Sequence, residues 1–166
     1  MSRPLVVGVV LAVLAGVLAL PLPGSRARAS AGAHSSTERQ VVGLINAVRA
    51  QHGLGPLWAN RRLSRAADHH SRDMLRRNFL AHASSDGTSF NTRLHRYVSA
   101  AEMGENIGYV TGASGAAARV VRLWMGSAGH RAMILKPSFG RIGVGARNGR
   151  LGRERLIFFT ADFASR

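Results

Sequence analysis

The feature that most constrains the fold is a change in hydrophobic periodicity along the chain. Behind Ser35 and Glu38, which have the form of a capping box, apolar residues recur at helical spacing and predict a helix over residues 37–52. Near the C-terminus, the stretches IGVGARNG (142–149) and RLIFFTADF (155–163) have the composition of two strands. Helices followed by strands mixed with helices predict an α+β domain or a layered α/β/α domain.

The middle of the chain divides into shorter segments. Further helices are predicted over residues 63–80, 90–97 and 116–125. The stretch GENIGYV (104–110) is typical of a loop that leads into a strand. Asn148-Gly149 is a favoured two-residue turn and predicts the loop of a C-terminal hairpin.

The first 29 residues have the order of a secretory signal peptide. Arg3 precedes an apolar run from Leu5 to Leu20, and an A-x-A exit ends at Ala29. We predict cleavage after Ala29, and cleavage after Ala31 or Ala33 is the alternative. An uncleaved anchor is the other interpretation, because the run is only slightly shorter than the roughly 20 residues of a membrane-spanning helix. Residues 30–36 are predicted to be a linker, and residues 37–166 one folded domain.

The composition narrows the classes of partner. The net charge of the chain is +15. The chain has no cysteine, and this absence excludes thiolate metal ligands and a cysteine nucleophile. The arginines are scattered without interleaved aromatic residues, so we expect no nucleic-acid binding. A basic exported chain is instead expected to meet lipid head groups, a membrane surface or an anionic cell-envelope polymer, and we expect it to act as a monomer.

Three polar residues stand in settings that core packing does not explain. His82 follows the apolar end of a helix, Glu105 lies between Gly104 and Asn106, and His130 follows a glycine. Two imidazoles can bind a divalent metal such as zinc, and a carboxylate can be a further ligand, orient a histidine or act as a general base. These three residues are therefore the candidate catalytic residues, and His82 and His130 the candidate metal ligands.

Each candidate also has a simpler interpretation. His82 could cap a helix C-terminus, Glu105 could pair with an arginine, and His130 could be an ordinary loop residue. His70 lies on the apolar stripe of its helix and is predicted to be a hydrogen-bonded core histidine. A serine hydrolase is not expected, because Ser127 lacks the first glycine of the G-x-S-x-G turn and follows a helix.

The order of the sequence blocks resembles that of a known family. LINAVRAQHGLGPL, LSRAADHHSRDM, FLAHASSDG, GENIG, WMGSAGHRAMIL, IGVGARNG and FFTADF follow one another as in the CAP superfamily of cysteine-rich secretory, antigen 5 and pathogenesis-related proteins. The chain is similar to its cysteine-free bacterial branch over about residues 40 to 163. The resemblance implies a three-layer α-β-α sandwich with a central antiparallel sheet, and a cleft lined by two histidines and two glutamates.

The resemblance also assigns the candidate residues. His82 looks like the first family histidine, Glu105 like the first glutamate and His130 like the second histidine; in some members the two histidines bind zinc or another divalent ion. The second glutamate normally follows the tryptophan of the preceding helix. Here that region reads Trp124-Met125-Gly126-Ser127 and has no carboxylate, so a four-residue site is not expected.

Three functions are compatible with this site. The first is an exported binding protein whose cleft holds a divalent cation such as zinc at His82 and His130, with a lipid or an envelope component as ligand. The second is a metal-dependent hydrolase or protease with Glu105 as general base for a metal-bound water. The third is a structural or interaction module of the cell envelope that uses its basic surface.

Overall fold

The computed structural model describes residues 35–151 and 153–166 of the chain. The predicted signal peptide and residues 30–34 of the predicted linker lie outside this part. Among the described residues, no helix combines the length and the apolar character needed to cross a membrane.

Five helices and four strands make up the described fold. In chain order they are α1 (Ser36–Gln51), β1 (Trp58–Ala59), α2 (Arg61–Arg77), α3 (Phe90–His95), β2 (Met103–Thr111), α4 (Ala116–Gly126), α5 (Ala128–Ile134), β3 (Phe139–Leu151) and β4 (Glu154–Ser165). The strands form one sheet in the order β1-β3-β4-β2. The three long strands pair antiparallel, as predicted, and the two-residue β1 adds to β3 in parallel.

The predicted capping box opens α1. The Ser35 side chain accepts from the Glu38 backbone N–H at 3.2 Å, and the Glu38 carboxylate accepts from the Ser35 N–H at 2.7 Å. The other Glu38 oxygen accepts from the Ala146 N–H in β3 at 3.2 Å. This one side chain therefore starts the helix, one residue before the predicted Thr37, and joins it to the sheet.

The prediction of a hairpin loop at Asn148-Gly149 is wrong. Both residues lie inside β3, paired with Ile157 and Leu156, and the ladder continues to the pair Leu151–Glu154. The glycine is needed for packing, because a Cβ at Gly149 would lie 2.2 Å from the Leu75 side chain of α2. Likewise, GENIGYV is not a loop leading into a strand, because all of it lies within β2.

The sheet lies between two layers of helices, which confirms the three-layer arrangement. On one face, α2 approaches so closely that a Cβ at Gly143 or Gly145 would lie 2.2 Å and 2.4 Å from its backbone atoms. Side chains alternate along a strand, so the neighbouring Ile142 and Val144 point to the opposite face, where they join the main core with α1 and α4. Trp124 of α4 is fully buried in that core.

Candidate functional site

The edge strand β2 holds the two histidine-bearing segments together. Successive side chains of a strand point to opposite faces, so Glu105 and Asn106 reach into different layers. Glu105 Oε1 lies 2.9 Å from Nδ1 of His82, in the loop after α2. Asn106 Nδ2 donates to the backbone carbonyl of His130, in α5, at 2.9 Å. Two adjacent residues of one strand thus fix both histidines, although 48 positions separate those histidines in the sequence.

The hydrogen bond with Glu105 determines the tautomer of His82. An ionised carboxylate can only accept, so Nδ1 of His82 carries a proton, and in the neutral tautomer that this bond selects the lone pair is on Nε2. Among the described residues, Nε2 has no hydrogen-bond partner, and the side chain is 50% exposed. The His82 backbone is fixed as well, because its carbonyl accepts from Arg93 Nη1 at 3.0 Å. The Nε2 edge of His82 is therefore held in a fixed orientation toward the solvent.

Glu105 is held as an anion inside the protein. Its side chain is fully buried, one oxygen faces His82, and the other accepts from Arg93 Nη2 in α3. Burial alone would raise the pKa of Glu105, but the hydrogen bond from His82, the positive charge of Arg93 and a smaller electrostatic contribution from His70 outweigh it and lower that pKa. The carboxylate therefore stays ionised and engaged on both oxygens.

A second carboxyl group lies beside Glu105 inside the sheet. Asp162 of β4 is the cross-strand partner of Glu105, is completely buried, and finds no hydrogen-bond donor among the described residues for either oxygen. Burial raises the pKa of Asp162 well above its usual range, and the charge of Glu105 raises it further. Asp162 is therefore the protonated member of the pair, and only in that form can it hydrogen-bond to Glu105.

His130 lies at the start of the short helix α5 and is half-buried. Its Nδ1 is buried without a hydrogen-bond partner in the described part of the chain. Burial lowers the pKa of His130, and the nearby His82 lowers it further. The surroundings of His130 therefore favour the neutral form of its ring.

Arg49 of α1 anchors the chain that follows α5. Its guanidinium donates to the carbonyls of Ile134 at 2.8 Å, Lys136 at 3.0 Å and Phe139 at 3.3 Å, and Nε donates to that of Gly55 at 2.9 Å. Burial lowers the pKa of Arg49. This buried cation, satisfied by carbonyls alone, fixes the C-terminal end of the helix that carries His130.

Three further titratable side chains have partners of their own. His70 is the predicted core histidine: it is buried, and its Nε2 lies 2.9 Å from the Ala81 carbonyl. Glu102 is engaged with Lys136 and Ser138 at the surface, and exposed Asp86 bonds the Thr88 N–H. No group of three or more histidine, aspartate or glutamate side chains suited to a metal occurs among the described residues.

Comparison with known sequences decides the family. The profile of the cysteine-rich secretory protein family, CAP, matches residues 42–163. The chain belongs to this family. It is 38% identical over 127 residues to the uncharacterized protein YkwD of Bacillus subtilis, and 35% identical over 112 residues to the uncharacterized membrane protein YlbC of the same organism. These matches cover 74% and 67% of this chain but 48% and 32% of the two relatives.

The solved CAP structures share the fold. An extracellular SCP-domain protein from Bacillus anthracis superposes with a TM-score of 0.68 at 27% identity, over 78% of this chain and 40% of that one. The chain thus spans less than half the length of these relatives. The second glutamate that the family resemblance implies is not found after Trp124, where Met125 and Gly126 follow.

Two residues that lie beside Glu105 are not identified from the sequence alone: Arg93 and Asp162. Arg93 was noted only as part of a predicted helix, yet it holds Glu105 and the His82 carbonyl together. Asp162 lies within the predicted strand 155–163, and no separate role is predicted for it from the sequence. Its signal was present, because a lone carboxylate in the apolar run IFFTADF is costly unless it is paired or neutral.

Proposed function

We propose that this CAP protein is an exported binding protein whose cleft holds a divalent cation between Nε2 of His82 and the ring of His130. The observation that carries the proposal is the hydrogen bond between Glu105 and Nδ1 of His82. A carboxylate on the far nitrogen of a metal-binding imidazole fixes its tautomer and raises its basicity. His130 supports the proposal, since its lowered pKa keeps the ring neutral and able to bind metal.

The donor set favours zinc with an incomplete protein shell. Neutral imidazoles suit zinc, and structural zinc sites use four protein ligands whereas functional sites leave positions open. Here two histidines would supply the protein ligands, and Glu105 is occupied by His82 and Arg93. A cation held in this way would keep its Lewis acidity for oxygen atoms of a ligand. A lipid head group or an anionic envelope component supplies such oxygens.

The same geometry argues against Glu105 as a general base. A base must reach a water and take its proton, but the Glu105 side chain is fully buried and both oxygens already face donors. Its lowered pKa makes it a weaker base than an ordinary carboxylate. We therefore place binding ahead of metal-dependent hydrolysis.

An exported location fits the relatives. The Bacillus anthracis protein that shares 27% identity is described as extracellular. The order of residues 1–29 is that of a signal peptide. We propose that the chain works outside the cell or within the envelope.

Zinc titration of four proteins tests the cation site. The wild type is expected to bind about one zinc ion per chain near pH 7, and His82→Ala and His130→Ala are each expected to weaken binding at least about 10-fold. His95→Ala is the matched control, because His95 is an exposed histidine on α3. Equal affinity in all four proteins, or no binding by the wild type, would overturn the proposal.

A further inference from the structure

The exposed side of α2 carries a straight row of basic side chains. Five residues follow one another at intervals of three and four, so they lie along one side of the helix. We call this row the basic stripe; it consists of Arg62, Arg65, His69, Arg72 and Arg76. It is about 21 Å long at 1.5 Å per residue.

The acidic residues of α2 leave most of this charge uncompensated. Asp73 accepts from the backbone N–H of Ser85 at 2.9 Å and from its hydroxyl at 2.8 Å. Asp68 forms ion pairs with both Arg72 and Arg147. Among the described residues, the side chains of the three other stripe arginines form neither an ion pair nor a hydrogen bond; they are Arg62, Arg65 and Arg76.

The C-terminal half of the stripe also borders a hollow. It has a volume of about 410 Å³ and is lined by His69, Arg72, Asp73, Arg76 and Arg77. Guanidinium groups bind phosphate through two parallel hydrogen bonds. Within the described part of the chain, Arg76 lines the hollow without an ion pair, beside Arg72, which pairs with Asp68, and Arg77, which pairs with Asp73. A phosphate group in the hollow would therefore meet one unpaired guanidinium and two paired ones, while the remaining stripe residues follow the chain to which that phosphate belongs.

We propose that the basic stripe of α2 binds a linear, phosphate-rich polymer of the cell envelope. A straight row of cations matches a chain of repeated anions, and each contact releases counterions from the polymer. The inference goes beyond the proposed cation site, because the stripe shares no residue with His82, Glu105 or His130.

The surroundings of the stripe favour a polymer over a membrane or a nucleic acid. A membrane-surface helix places its apolar face in the lipid, but the apolar side of α2 is buried against the sheet. The large apolar side chains that are exposed all lie outside α2; they are Leu44, Trp58, Leu80, Tyr109 and Leu123. Single-stranded nucleic acids are bound by stacking on exposed aromatic residues. Tyr97 contacts His69 of the stripe, but it is partly buried, packs against the core, and its hydroxyl lies 2.7 Å from Nδ1 of His69.

A charge-matched pair of variants tests the inference. The stripe variant is Arg62→Gln/Arg65→Gln/Arg76→Gln, and the control is Arg96→Gln/Arg122→Gln/Arg150→Gln, which removes three exposed arginines from other elements. Glutamine is a good helix former, so α2 should stay folded, and circular dichroism checks this. Binding of labelled poly(glycerol phosphate) is measured over a series of salt concentrations.

The stripe variant is expected to bind poly(glycerol phosphate) at least about 10-fold more weakly than the wild type. The slope of log affinity against log salt should also become shallower by about 2, because each of the three lost phosphate contacts contributes about 0.7 to that slope. The control variant should keep most of the wild-type affinity. Equal losses in the two arginine variants would overturn the stripe in favour of diffuse charge. Tighter binding to phosphatidylglycerol vesicles or to a thymidine oligonucleotide than to poly(glycerol phosphate) would overturn the envelope polymer.

Discussion

Two substitutions in the buried carboxyl pair should have opposite consequences for stability. Glu105→Gln removes the anion that faces Arg93, whose side chain is only 7% exposed. Removal of one partner from a buried ion pair leaves the other charge uncompensated and costs about 3–5 kcal/mol. We expect this loss in the free energy of unfolding of Glu105→Gln at pH 7.

Asp162→Asn should instead be close to neutral or stabilising at pH 7. Because the pKa of Asp162 is raised in the folded protein, the folded state must keep a proton that the unfolded chain releases. The stability associated with that proton is fully present below about pH 4, where the unfolded aspartate is protonated too, and is lost as pH rises toward the folded pKa, by about 1.4 kcal/mol per pH unit. Asparagine avoids this loss because its side chain has no proton to release.

Urea unfolding of both variants and the wild type at pH 7 and pH 4.5 checks this reasoning. The advantage of Asp162→Asn over the wild type should shrink as the pH falls, and Glu105→Gln should be the less stable variant at pH 7. If Asp162→Asn lost as much stability as Glu105→Gln at pH 7, Asp162 would be an ionised partner of Arg93, and the assignment of the proton would be refuted.

Three further predictions concern packing, anchoring and pH. Gly145→Ala should lower the free energy of unfolding by about 1–3 kcal/mol in urea, because the new Cβ would lie 2.4 Å from the backbone of α2. The control Gly126→Ala should lose no stability, since no atom lies within 4 Å of its Cβ. Equal losses in the two variants would contradict the close approach of α2. Arg49→Met should lose about 3 kcal/mol or more, since four carbonyls lose a charged donor, and a loss below about 1 kcal/mol would contradict the anchoring role. His70→Gln should flatten the decline in stability below about pH 6.5: burial lowers the pKa of His70 in the folded state, so its contribution is present above the unfolded pKa and is lost as pH falls below it. An unchanged slope between pH 6.5 and pH 5 would contradict that shift.

The fold could be predicted from the sequence where local patterns agree with tertiary packing. The capping box of Ser35 and Glu38 and the period of α1 were read correctly, because these signals depend on neighbours in the sequence. The hairpin loop was predicted wrongly at Asn148-Gly149. This dipeptide favours a turn, but here the glycine provides space for the Leu75 side chain. The start of β2 was predicted as a loop for a similar reason. Gly104 favours a loop in sequence, but it is needed for packing, since a Cβ there would lie 2.8 Å from the Met133 sulfur.

The sequence indicates the candidate residues but not the side chains that hold them in place. His82, Glu105 and His130 stand out through their flexible neighbours and through the family order of the blocks. Arg93 could not be distinguished among 23 lysines and arginines, because its burial arises only when α3 packs beside β2. The proton on Asp162 depends on the cross-strand register that brings it beside Glu105, and no local pattern encodes that register.

The central claim is that Glu105 orients His82 so that Nε2 is free to bind a cation. Nitrogen NMR of the His82 ring, recorded without metal and after addition of zinc near pH 7, tests it most directly. The account predicts a proton on Nδ1 in both states and a zinc-dependent shift confined to Nε2, which is lost in His130→Ala at the same zinc concentration. A proton on Nε2 in the metal-free protein, or a spectrum that zinc leaves unchanged, would contradict the account.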